Sequence, residues 1–106
     1  MLRVGVFFGG PSSEREVSLE SGRHLFQNLD AFRYGGVPIF LSKKHELWEV
    51  PIKLLLMNTT EDIERALETD ATRIPYEQLK EKIDFAALPA YTRSGYVGVK
   101  VWICLS

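Results

Sequence analysis

Cysteine is almost missing: Cys104 is the only one in 106 residues, so no disulfide can close within the chain. Histidine is nearly as scarce. His24 falls in a helical stretch and His45 between Lys44 and Glu46, neither with a ligand-type partner at useful spacing, so no metal site is readable. No run nears the ~20 apolar residues of a membrane-spanning helix. The opening residues Met1-Leu2-Arg3-Val4-Gly5-Val6 lack the apolar stretch and small-residue cleavage site of a secretory leader. A reducing cytoplasm is therefore the expected location, with no membrane partner. Neither sign of charge is in excess, since 13 Lys plus Arg stand against 14 Asp plus Glu for a net charge of -1. That balance supplies no general pull toward nucleic acid or anionic lipid. Repeats and low-complexity tracts are also lacking, which argues against a solenoid or a disordered chain.

What is present suits one compact fold. The 45% hydrophobic and 25% charged fractions match average globular domains. A chain of this length buries roughly 65% of its unfolded surface, enough for a single core. Leu2 to Phe8 form an apolar run ending at Gly9-Gly10, as expected for a strand buried on both faces of a parallel sheet. Ser13 and Glu16 have the spacing of a capping box, which starts a helix at about Glu14. Along it Val17, Ser21, Leu25 and Leu29 make one stripe, flanked by Ser18, Gly22 and Phe26, so its amino end can come close to the sheet. Val37 to Leu41 read as the next strand, with Pro38 expected at a strand start or edge because it cannot donate to a ladder. Glu46 to Met57 is ambiguous between short strands and a buried helical turn.

Thr59 and Thr60 precede an acidic first turn and a second short helix, and Glu61 to Asp70 reads as a solvated helix face. Pro75 starts a third helix to about Lys82, and Ile83 to Leu88 form a strand ending at Pro89. Val97 to Leu105 alternate like a half-buried strand. The expected fold is α/β: a small layered, Rossmann-like domain with a mostly parallel sheet flanked by helices.

Chemistry concentrates at Gly9 to Ser18, where strand one meets helix one, because ligands of open α/β sheets bind beyond strand carboxyl ends near helix amino termini. A dinucleotide fingerprint is not formed there. Gly9 and Gly10 are adjacent, no third glycine follows, and Glu14 places a carboxylate where a pyrophosphate would sit. The two glycines allow a sharp turn and close approach to a ligand, or a plain strand-to-helix turn. A carboxylate at Glu14 is kept ionised by the helix dipole and can pair with an ammonium, or it is simply an acid on a solvated helix end. Ser13 and Glu16 suit capping, Ser18 and Ser21 close packing, and Cys104 a small apolar role.

The order Phe8-Gly9-Gly10-Pro11-Ser12-Ser13-Glu14-Arg15-Glu16-Val17-Ser18-Leu19-Glu20-Ser21-Gly22 resembles the amino-terminal motif of D-alanine-D-alanine ligases. There, Gly-Gly-x-Ser-x-Glu-x-Glu-Val-Ser-Leu-x-Ser-Gly follows the first strand. Leu54 to Met57 and Ile83 to Ala86 also resemble that family, so the likeness runs over roughly residues 1–88. The resemblance implies the pre-ATP-grasp domain of an ATP-dependent ligase that joins two D-alanines for peptidoglycan precursors. Glu14 is then the catalytic candidate, engaging the ammonium of the first D-alanine directly or through a network with the central domain. Gly9, Gly10, Ser13, Glu14, Val17 and Ser18 are the substrate-binding candidates.

Residues 89–106 depart from the family. Where relatives continue with His-Gly-x-x-Gly-Glu-Asp-Gly, this chain reads Pro89-Ala90-Tyr91-Thr92-Arg93-Ser94-Gly95-Tyr96, so no functional residue carries over past Leu88. A reading-frame change near residue 87 would explain such a tail. The ATP-holding lysines and magnesium carboxylates of the full-length family have no counterpart here, so no cofactor is expected for this stretch and alone it should not ligate. Expected partners are D-alanine, the missing ATP-grasp domains, or a second copy. A partner-binding or oligomerising module, through the tail strand, and a small nucleotide-binding protein are the competing readings.

Overall fold

The computed structural model describes residues 2–92 and 95–104, with side chains described for residues 2–87. Six strands form one sheet in the order β4-β3-β2-β1-β5-β6. In chain order they are β1 (Leu2–Gly9), β2 (Tyr34–Leu41), β3 (Leu47–Glu49), β4 (Thr72–Ile74), β5 (Phe85–Thr92) and β6 (Gly95–Cys104). The helices are α1 (Arg15–Gln27), α2 (Ile52–Met57), α3 (Thr60–Asp70) and α4 (Leu79–Lys82), the last entered through a 3-10 turn at Tyr76–Gln78. β1 pairs in parallel with β2 and β5, while β3, β4 and β6 extend the sheet by antiparallel pairs. Strands β1, β2, β4 and β5 thus share one direction, as a mostly parallel sheet requires.

Period-two alternation along β1 divides the core. Val4, Val6 and Phe8 face one side, where Leu25 and Ala87 pack on the first two and Leu19, Phe40, Leu55 and Ile63 on the third. Phe7 faces the other side, against a cluster of Ile39, Ile74, Leu79 and Ile83. Burial on both faces explains why β1 reads as a continuous apolar run. Helix α1 lies close against β1: a Cβ added at Gly22 would stand 2.9 Å from the Phe8 Cβ. Its buried residues are Arg15, Leu19, Ser21, Gly22 and Leu25, so the inner stripe is rotated from the expected one and takes in Leu19, leaving Val17 half-buried.

Two expectations are corrected and one ambiguity is resolved. Pro38 sits in mid-strand opposite Val6, not at the start or edge of β2. Its carbonyl accepts from the Val50 amide, so its nitrogen also faces the β3 side, just past the β3 ladder that begins opposite Ile39, and no β1 hydrogen bond is lost. β5 does not stop at Pro89 but runs to Thr92, with a register irregularity between Pro89 and Tyr91. The ambiguous Glu46 to Met57 stretch resolves into both alternatives, strand β3 and helix α2. The expected tail strand is β6, antiparallel to β5.

Candidate functional site

The turn after β1 is held by its own backbone. Gly9 (φ +96°) and Gly10 (φ +101°) both take left-handed conformations. A Cβ at Gly9 would lie 2.7 Å from the Phe40 ring and 2.9 Å from the Leu41 carbonyl. The Gly10 amide donates to that carbonyl at 2.8 Å, tying the turn to the end of β2. Ser18 Oγ accepts from the Gly9 amide at 3.1 Å, so this serine braces the turn besides packing α1 against the sheet. The Ser21 hydroxyl is buried and donates to the Val17 carbonyl.

The expected Ser13–Glu16 capping box is not formed. Glu14 occupies the cap position without a side-chain cap bond, and Ser12 instead accepts from the Glu14 amide through its Oγ at 3.2 Å. Glu16 is drawn away to the amino end of α3, where its carboxylate accepts from the Thr60 amide at 2.8 Å and from the Thr60 hydroxyl. The capping box of this molecule lies at Thr59 and Asp62. The competing donors of Thr60 explain why the Glu16 carboxylate leaves the Ser13 backbone.

The charged trio of the motif is therefore split. Arg15 turns inward, 7% exposed, and donates from Nη2 to Glu64 Oε1 at 2.7 Å with its guanidinium 5.5 Å from the centre of the Phe40 ring. Glu64 Oε1 also accepts from the Lys43 amide at 2.9 Å. The expected solvated face of Glu61 to Asp70 holds for Asp62, Arg65 and Glu68 but not for Glu64. Glu14 and Glu16 are both exposed, but of the three only Glu14 has a carboxylate with no hydrogen-bond or ion-pair partner among the described residues. Ser13 is exposed beside it.

Arg15, Thr60 and Glu64 escaped sequence reasoning because their pairing spans 44 to 49 residues. The one signal was an arginine inside an otherwise acidic, apolar-flanked helix start.

The location is the switch point of the sheet, since β1 is followed outward by β2 on one side and has β5 on the other. At this turn the amides of Gly9, Gly10, Glu14 and Arg15 already have internal acceptors, and Glu14 adds negative charge, both of which disfavour a nucleotide phosphate. Among the described residues no three His, Cys, Asp or Glu side chains converge as metal ligands, and no helix is long and apolar enough to cross a membrane. A cleft of about 230 Å³ bordered by Ser42, Glu46, Trp48, Glu64 and Glu68 lies beside the β2–β3 turn, and Glu14 does not line it.

The model of the family described as "D-ala D-ala ligase N-terminus" matches residues 3–98. D-alanine–D-alanine ligase from Thermosipho melanesiensis is 29% identical over 98% of this chain and 32% of its own length. The Clostridium perfringens enzyme is 46% identical over 45% of the chain and 16% of its own. The chain thus spans under a third of these relatives. Among solved structures, the VanG D-Ala:D-Ser ligase of Enterococcus faecalis superposes with a TM-score of 0.62 over 80% of this chain and 27% of its own, at 22% identity. The D-alanine–D-alanine ligase of Coxiella burnetii does so at 0.53 over 99% and 25%, at 17% identity. The fold agrees, the family model spans nearly the whole chain, and this chain belongs to the D-alanine–D-alanine ligase amino-terminal family.

Proposed function

We propose that the chain supplies one wall of the first D-alanine subsite of an ATP-dependent D-alanine–D-alanine ligase, with Glu14 as the group that receives the substrate ammonium. The carrying observation is the division of labour in Glu14-Arg15-Glu16: the second and third side chains are consumed by α3, while Glu14 stays exposed and unpaired among the described residues. A carboxylate at a helix amino terminus remains ionised, and an ionised carboxylate forms a charge-assisted bond with an ammonium. Gly9, Gly10 and Ser18 hold the turn, and Ser13 and the half-buried Val17 stand near Glu14 in sequence as further substrate-binding candidates. In that enzyme ATP and magnesium would be held by the ATP-grasp domains outside this stretch.

The test is formation of D-alanyl-D-alanine with ATP, by the chain alone and with ATP-grasp domains supplied separately. Product only in the supplemented mixture, falling about a hundredfold or more with Glu14→Gln, supports the reading. Equal product with the variant refutes the role of Glu14.

A second reading is favoured by β6 at the sheet edge. An edge strand can pair with another chain, and the domain would then be a partner-binding or oligomerising module. Silence in both assay mixtures with a concentration-dependent mass would favour it.

A further inference from the structure

Arg15 is the only charged residue among the described ones to be more than nine-tenths buried. We propose that the Arg15–Glu64 pair is the positioning device of this site, setting where the neighbouring Glu14 carboxylate stands; this rests on the reading of Glu14 as ammonium acceptor. Removing a guanidinium from water is costly, and an apolar side chain of like volume generally stabilises a core as well or better. The charge therefore serves geometry.

Three contacts define that geometry. The Arg15 guanidinium lies over Phe40, the ring that also closes against Gly9. Its Nη2 donates to Glu64 on α3, while Nε and Nη1 are buried without an acceptor among the described residues, leaving Glu64 as the anchor. The same Glu64 oxygen accepts from the Lys43 amide, so one carboxylate joins α1 to the β2–β3 turn. One turn earlier in α3, Thr60 donates to Glu16. Two consecutive α1 residues are thus fastened to two α3 residues four apart, with donors running in opposite senses. Glu14, joined to Arg15 by a single peptide bond and accepting from the Ser18 amide, moves with them.

The test is amide hydrogen exchange by NMR on the whole chain, comparing wild type with Arg15→Lys, Arg15→Met, Glu64→Gln and the Arg15→Met/Glu64→Gln double variant. Exchange at the Gly10, Glu14 and Ser18 amides should quicken about tenfold in Arg15→Met and in Glu64→Gln. The double variant should be no faster than either single one, and Arg15→Lys, which keeps the charge, should restore part of the protection. The core amides of Val6 and Leu25 should keep wild-type rates. Unchanged loop amides, equal loosening of loop and core, or identical behaviour of Arg15→Lys and Arg15→Met would overturn the proposal. Glu64→Gln, at a half-buried position, keeps the test valid if the Arg15 variants fail to fold. A D-alanine titration of wild type separates the two readings: no shift at the Glu14 amide, with the loop coupling intact, would overturn the ammonium role alone.

Discussion

At the scale of single residues, backbone conformation and local charge decide what each position tolerates. Gly9 combines a positive φ with contacts that leave no room for a Cβ. Gly9→Ala should destabilise the fold by about 2 kcal/mol or more, read as a lower urea midpoint with an unchanged slope. Gly10 shares the positive φ, but a Cβ there would meet only Leu41 at 3.8 Å, so Gly10→Ala should carry the backbone strain alone. At the far end of β1, Arg3 and Asp84 exchange a salt bridge at 3.1 Å, and the Arg3 amide also donates to the Asp84 carboxylate at 2.7 Å. These hydrogen bonds and the adjacent positive charge hold the Asp84 carboxyl below its ordinary value of 3.8. A depressed folded-state pKa gives stability that is present above 3.8 and lost as pH falls through the lower folded value. Asp84→Asn should therefore show a smaller drop in melting temperature between pH 5 and pH 2 than wild type. An identical drop would show that the pairing contributes nothing to acid sensitivity.

Elements are tied to one another by a few side chains acting at helix ends. Arg23 on α1 donates to the Leu55 carbonyl at 2.9 Å and to the Asn58 carbonyl at 3.1 Å, covering otherwise free acceptors at the end of α2. Thr59 caps α3 by accepting from the Asp62 amide, with Asp62 returning the bond to the Thr59 amide. Thr59→Ala should cost about 1 kcal/mol, and Thr59→Ser should recover most of it in the same denaturation series. Gly22 sets the depth of α1 against β1. Gly22→Ala should gain helix propensity yet still lose about 1–3 kcal/mol through overpacking on Phe8; a net gain in stability would mean that α1 can lift from the strand freely.

Over the whole molecule, Phe40 is the point at which turn, core and ion pair meet. It is fully buried, packs at 5.5 Å on Phe8, closes beneath Gly9 and lies against the Arg15 guanidinium. Phe40→Ala should cost about 3–5 kcal/mol, roughly 15–30 °C of melting temperature for a domain of this size. Calorimetry would show this directly, and the loop amides named above should lose protection together with the core. A shift of only a few degrees would mean that the Gly9 turn is supported independently of the β2 core.

Local information was sufficient wherever one segment answers its own needs. The apolar run of β1 and the acidic start after Thr59 declare buried strand and capped helix because burial and capping act within a few residues. The Gly9 to Gly22 motif declares the family for the same reason: its turn, its exposed Glu14 and its close-packing glycine are all contiguous. Tertiary structure decided matters in which a partner far along the chain competes. Ser13 and Glu16 have capping-box spacing, yet Thr60 offers Glu16 a better-placed pair of donors. Pro38 can sit within β2 because β3 happens to end beside it. β5 passes through Pro89 because β6 pairs alongside. Arg15 can be buried only because Glu64 and Phe40 reach it from α3 and β2. A chain states its periodicity and caps at short range, but which donor wins a carboxylate is settled by distances that exist only once the sheet and helices have packed.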